Sequence, residues 1–105
     1  MTIKAAFIFI AQDADPGQHQ ATVITPEVEV TTLAVQSYKQ ARAEAARLHA
    51  AGFNAIELCA GFGTEGVAAV KSAVAGQIPV GVVRFDYHPG LGFRSGDELF
   101  GKPVG

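Results

Sequence analysis

The sequence has a single cysteine, Cys59, which excludes an intrachain disulfide and fits a reducing compartment. Positive charge is scarce as well. Eight Lys and Arg against ten Asp and Glu give a formal net charge of -2, so there is no basic field to draw nucleic acid or an anionic membrane surface. No apolar run is long enough to span a bilayer, and Ala5 to Ala11 is too short and too lightly charged ahead of it to read as a signal peptide. These absences describe a cytoplasmic protein without a nucleic-acid or membrane partner. What remains is ordinary for a globular chain: 105 residues, 49% of them hydrophobic and 17% charged, are read as one α/β domain over 1–105. A chain this short buries roughly two thirds of the surface its unfolded form exposes, so self-association would offset a pocket cut into its core.

Ile3 to Ala11 is an almost continuous apolar run, the pattern of a central strand covered on both faces. In the polar segment Gln12 to Pro26, Asp15 and Pro16 suit the N-cap and first position of a short helix. Val28 to Val35 reads as a second strand at a sheet edge. Ser37 and Gln40 form a capping box ahead of a helix whose apolar stripe is Tyr38, Ala41, Ala45 and Leu48, with Gly52 placed to end it. Ala55 to Ala60 is a third strand, Thr64 to Ala75 a helix with Val67, Val70 and Val74 on one face, and Ile78 to Phe85 a fourth strand. Alternating strands and helices imply right-handed crossovers. The expected architecture is therefore three-layer βαβαβαβ around a mainly parallel four-stranded sheet. If the Asp15 helix is absent, a mixed sheet with the first two strands antiparallel is the alternative. Residues 87–105, rich in glycine, read as a tail or lid in which Ser95 to Phe100 supplies one helical turn.

The stretch from Ala55 to Gly66 draws the functional reading. Gly61-Phe-Gly-Thr-Glu-Gly66 has the G-x-G-x-x-G spacing between a strand and a helix, and Asp86 lies twenty residues further on, as in a dinucleotide site. Only four strands are available for such a site, however, and Glu65 sets a negative charge beside the would-be pyrophosphate. A smaller anion, or glycines that serve only the turn and close packing, fits better. Gly61, Gly63 and Thr64 are the expected backbone donors at the helix start, with Arg84 as a cationic partner. Glu57 and Cys59 share a face of the third strand. Arg84, Asp86 and His88 share one on the fourth if the extended backbone persists. Glu57 could be spent in a structural ion pair with Arg84. His88 with Asp86 would serve acid/base chemistry, with Glu57 and Cys59 as further catalytic candidates. Zinc on Cys59, Asp86 and His88 lacks a diagnostic spacing, so neither a metal nor a cofactor is expected.

The blocks Ala55-Ile-Glu-Leu-Cys-Ala-Gly-Phe-Gly-Thr-Glu-Gly-Val67, Pro79-Val-Gly-Val-Val-Arg-Phe-Asp-Tyr-His-Pro-Gly90 and Ser95-Gly-Asp-Glu-Leu-Phe100 resemble a family of small bacterial proteins known as a domain of unknown function. The opening Lys4-Ala-Ala-Phe-Ile-Phe9 and Ala14-Asp-Pro16 extend the likeness over nearly the whole chain. The resemblance implies a compact stand-alone α/β protein, supplies no activity, and weighs against a nicotinamide dehydrogenase. The expectation is thus a protein that binds or transforms a small polar or anionic molecule beyond the third and fourth strands, in an isomerase or lyase type of step. The alternative is a non-catalytic protein that associates with itself or a partner. In either case a homo-oligomer would form through the tail or an edge strand.

Overall fold

The first strand is the spine of the sheet, as its apolar run requires. In the computed structural model, which describes residues 2–101, the strands are β1 (Ile3–Ile10), β2 (Gln20–Ile24), β3 (Val28–Val35), β4 (Ala55–Leu58) and β5 (Val80–Val82). They form one five-stranded sheet of order β2-β3-β1-β4-β5. β1 pairs in parallel with both β3 and β4, β4 with β5, and only β2 runs antiparallel, against β3. The helices are α1 (Tyr38–Ala50), α2 (Thr64–Ala73) and the short α3 (Gly96–Phe100), which follows a 3-10 turn at Pro89–Leu91.

Three expectations are corrected here. The sheet has five strands, not four, and is mixed: the four expected strands are present and mutually parallel, and Gln20–Ile24 adds an antiparallel fifth where a helix was expected. Asp15 does start a turn, since its carbonyl accepts from the N–H groups of Gln18 and His19 and its Oδ1 from Gly17, but the turn ends at once. Consequently Val28–Val35 is not an edge strand: β2 covers its outer side, with Thr22 and Thr31 joined through their hydroxyls at 2.9 Å. It is parallel to β1, so the antiparallel alternative for these two strands does not hold either. In the tail, the helical turn expected over Ser95 to Phe100 is present as α3, after the 3-10 turn; positions 102–105 lie outside the described residues.

The expected three layers are two. The connections from β3 to β4 and from β4 to β5 both step in the same direction across the sheet, so right-handed crossovers put α1 and α2 on the same face. The core confirms it. Tyr38, Ala41, Ala45 and Leu48 of α1 meet Val70 and Val74 beneath α2, and both sets pack on Ala6, Ile8, Leu33, Ile56 and Leu58 of the strands. The alanines let α1 lie close on the sheet, while Leu48, about 1% exposed, contributes on the order of 2–3 kcal/mol of apolar burial. Ser37 caps α1 by accepting the Gln40 N–H, but the Gln40 side chain reaches one residue further back, to the N–H of Gln36. Gly52 follows the helix in the left-handed region (φ 88°), which glycine adopts without strain.

Candidate functional site

The start of α2 is already filled. Two of the N–H groups that the strand-turn-helix pattern offers to an anion are taken by the chain itself, that of Glu65 by Asp97 of the tail and that of Gly63 by Tyr38 of α1. Asp97 accepts from the Glu65 N–H with both carboxylate oxygens, at 3.0 and 3.1 Å, and from the Tyr38 hydroxyl at 2.9 Å. The Tyr38 oxygen in turn accepts from the Gly63 N–H at 2.9 Å. A carboxylate at a helix N-terminus satisfies orphan donors and complements the helix dipole, so Asp97 stands where an anionic ligand would.

All three glycines of the G-x-G-x-x-G pattern serve this packing. A Cβ on Gly61 would come within 2.7 Å of the Ile10 side chain, one on Gly66 within 2.5 Å of the Tyr38 ring, and one on Gly63 would strike the Asp97 carboxylate. Tyr38 is the post about which the turn is wrapped, stacking on Phe62 at 5.7 Å and meeting Phe100 at 5.9 Å. Burial in this cluster, helped by the Asp97 carboxylate that accepts its proton, pushes the Tyr38 phenol well above its ordinary value, against the opposing pull of the Gly63 N–H. The folded-state pKa is therefore higher than the unfolded value of about 10, so the stabilisation is fully present below pH ~10 and is lost as pH rises beyond it. Melting curves taken at rising alkaline pH should show this loss, and Tyr38→Phe should remove that component of the slope while lowering stability at neutral pH.

The other expected residues fall into separate places. Arg84 does not pair with Glu57; its Nε and Nη2 donate to Asp86 Oδ1 at 2.9 Å each, and its Nη1 donates to Thr64 Oγ1 at 2.8 Å. The pair stands in solvent, with the two side chains 61% and 66% exposed. Glu57 is exposed on β4 opposite Gly81, and Cys59 is half-buried with its Sγ accepting from the Gly61 N–H at 3.3 Å. Because β5 ends at Val82, the alternation that would align Arg84, Asp86 and His88 on one face is not maintained. Among the described residues, no three His, Cys, Asp or Glu side chains gather as metal ligands. No helix is long and apolar enough to cross a membrane.

His88 lies elsewhere, in an open cleft of about 810 Å³ between the tail and the carboxyl ends of β1 and β3. Its Nδ1 accepts the Gly90 N–H at 2.9 Å, which leaves the proton of the neutral ring on Nε2. Arg94 joins it, held by its Nε on the Leu91 carbonyl at 3.1 Å, and the backbones of His88 and Arg94 form an antiparallel bridge. Gln12 and Asp13 enter from the end of β1 and Gln36 from the end of β3, against apolar walls of Ile10, Leu91, Leu99 and Phe100. β1 and β3 are neighbouring parallel strands, so the cleft lies at the carboxyl edge of the sheet, the edge at which open α/β sheets bind ligands. Asp13, which lines the cleft, holds φ near 60°, as does Phe93 next to Arg94; Ala75, after α2 and away from the cleft, is also left-handed at φ 50°.

Across residues 3–98 the chain matches the model of a family described as a family of unknown function, DUF6506. The chain belongs to that family. Neither the curated proteins nor the solved structures searched contain a match to it. In this DUF6506 chain, then, the site has to be read from geometry. Sequence reasoning placed a site beyond the third and fourth expected strands and passed over Gln12, Asp13, Gln36 and Arg94. The first two could have been found, because they directly follow the central strand. Tyr38 and Asp97 were hidden by sequence separation, 25 and 34 residues from Gly63.

Proposed function

We propose that the protein binds a small polar, anionic molecule in the cleft between the tail and the ends of β1 and β3. The observation that carries this reading is that Arg94, His88, Gln12 and Gln36 line one partly apolar cleft of suitable size. The Arg94 guanidinium, whose terminal amino groups have no protein acceptor among the described residues, would take a carboxylate or phosphate. His88 would present its Nε2–H to a second polar group and transfer a proton there, with Asp13 the carboxylate available in the same cleft for the complementary step. That combination suits an isomerase or lyase type of reaction, in which a proton is removed and returned without a redox partner. Arg84, Asp86 and Thr64 form a separate cluster at the start of α2. Gly61 and Gly63 would meet a ligand only with Asp97 withdrawn, while Glu57 and Cys59 take no part.

A panel of small carboxylates and phosphate esters, screened by thermal shift and followed by calorimetry, tests the reading. Arg94→Gln should weaken the bound member by about ten- to a hundredfold, the range of one charge-assisted contact worth roughly 1.5–3 kcal/mol. His88→Gln should leave binding within a few fold and abolish any turnover. Binding that survives Arg94→Gln but is lost in Arg84→Gln would place the site at the start of α2 instead.

A further inference from the structure

The sheet face opposite the helices is bare and apolar. The register pairs Phe7 and Phe9 of β1 with Thr32 and Ala34 of β3, and Val30 of β3 with Val23 of β2, all on the side away from α1 and α2. Phe7, Phe9 and Val30 remain partly exposed and stand outside the hydrophobic core, while Val23 is 65% and Ile3 46% exposed. A strand apolar on both faces, as β1 is, belongs in a sheet covered on both faces, and among the described residues the chain covers only one.

We infer that this face is the interface of a homodimer, in which two copies pack sheet against sheet. Its area is the first reason. Five strands spaced about 4.8 Å apart give a width of about 24 Å, and a mean strand length of about 20 Å makes the face roughly 500 Å² in projection. Side-chain relief raises the accessible area towards the ~800 Å² that each partner gives to a standard interface. Its chemistry is the second. The strand positions on this face carry one ionisable side chain, Glu57, and no cation, so neither a charged partner nor anionic lipid headgroups would find a counter-charge. Glu57 stands between Phe7 of β1 and Gly81 of β5 and is exposed; Gly81 has no side chain, so the carboxylate can lean over β5 towards solvent. A patch of Val, Phe, Ile and Ala with a single carboxylate to one side is complementary to itself, as an isologous two-fold contact requires. Sheets so paired lie about 10 Å apart with their strands roughly 30° from alignment. This differs from association through the tail or an edge strand, and it leaves the cleft at the strand ends open in both copies.

Light scattering of the full chain on a sizing column, together with sedimentation at several concentrations, tests the inference. The unaltered protein should have the mass of two chains. Val23→Lys, which places an unpaired cation in an apolar contact, and Phe7→Lys, which removes a central ring and sets its cation beside Glu57, should each raise the dissociation constant on the order of tenfold or more while far-UV circular dichroism stays folded. Lys39→Glu, on the exposed side of α1, should leave the dimer unchanged. If Phe7→Lys fails to fold, Val23→Lys decides alone, since Val23 has no part in the core. A monomer at all concentrations, or a dimer untouched by folded Val23→Lys, would overturn the inference.

Discussion

Gly96→Ala is expected to release the tail and cost about 2–4 kcal/mol, at or beyond the upper end for overpacking because the obstacle is backbone on a fixed turn. The Cβ would strike the carbonyl of Gly61 and come within 2.9 Å of the Gly63 nitrogen, and neither group has a side-chain rotamer by which to move aside. α3 must lift instead, taking the Asp97 cap with it. The loss is therefore bounded by what docking of the tail contributes, since the chain can free the tail rather than unfold. For a domain of this size the change corresponds to a melting temperature lower by roughly 10–20 °C. Denaturant or thermal melts read the magnitude, and faster proteolysis in the segment 86–101 shows that the tail is what moves. A Gly96→Ala variant as stable as the parent would mean that α3 does not sit on the turn.

Asp97→Ala should cost about 2–3 kcal/mol, combining the loss of a helix cap with the loss of the acceptor for the part-buried Tyr38 hydroxyl. It should also do what no loss of packing does, which is to create an anion site. With the carboxylate gone, the Glu65 N–H and the start of α2 are unpartnered, so added phosphate should raise the melting temperature of the variant by binding its folded form. The rescue must persist in Asp97→Ala/Arg94→Gln, which lacks the arginine of the cleft. Asp97→Asn, which keeps an acceptor oxygen, should be milder and less responsive. If phosphate does nothing for Asp97→Ala, the carboxylate is not standing in for an anion.

These two variants concern the stretch in which sequence and structure are hardest to reconcile. The G-x-G-x-x-G spacing announces a backbone that must be approached closely, and that much is correct for Gly61, Gly63 and Gly66. What approaches is not written in the spacing. A ligand phosphate and the chain's own Asp97 place the same demand on Gly63, and only the fold brings a carboxylate across 34 positions to meet it. Local signals fared better where one element decides the outcome. The α1 stripe of Tyr38, Ala41, Ala45 and Leu48 is buried as its period requires, and Ser95 opens a helical turn with a full capping box to Glu98. β2 escaped notice because all five of its residues are exposed, so no buried face imposes an alternation on Gln20–Ile24. The strand expected over Ile78–Phe85 stops at Val82, and with it ends the two-residue period that would align Arg84, Asp86 and His88. The apolar run of β1 called for cover on both faces, a demand that one chain meets on one face only.

The most direct test of the proposed anion cleft is a titration followed by amide and side-chain NMR, using a four-carbon dicarboxylate as probe. Shifts should centre on Gln12, Asp13, His88 and the Arg94 guanidinium, while the amides of Gly63 and Glu65 stay in place under Tyr38 and Asp97. Shifts centred on Gly63 and Glu65, with the cleft unmoved, would contradict that assignment.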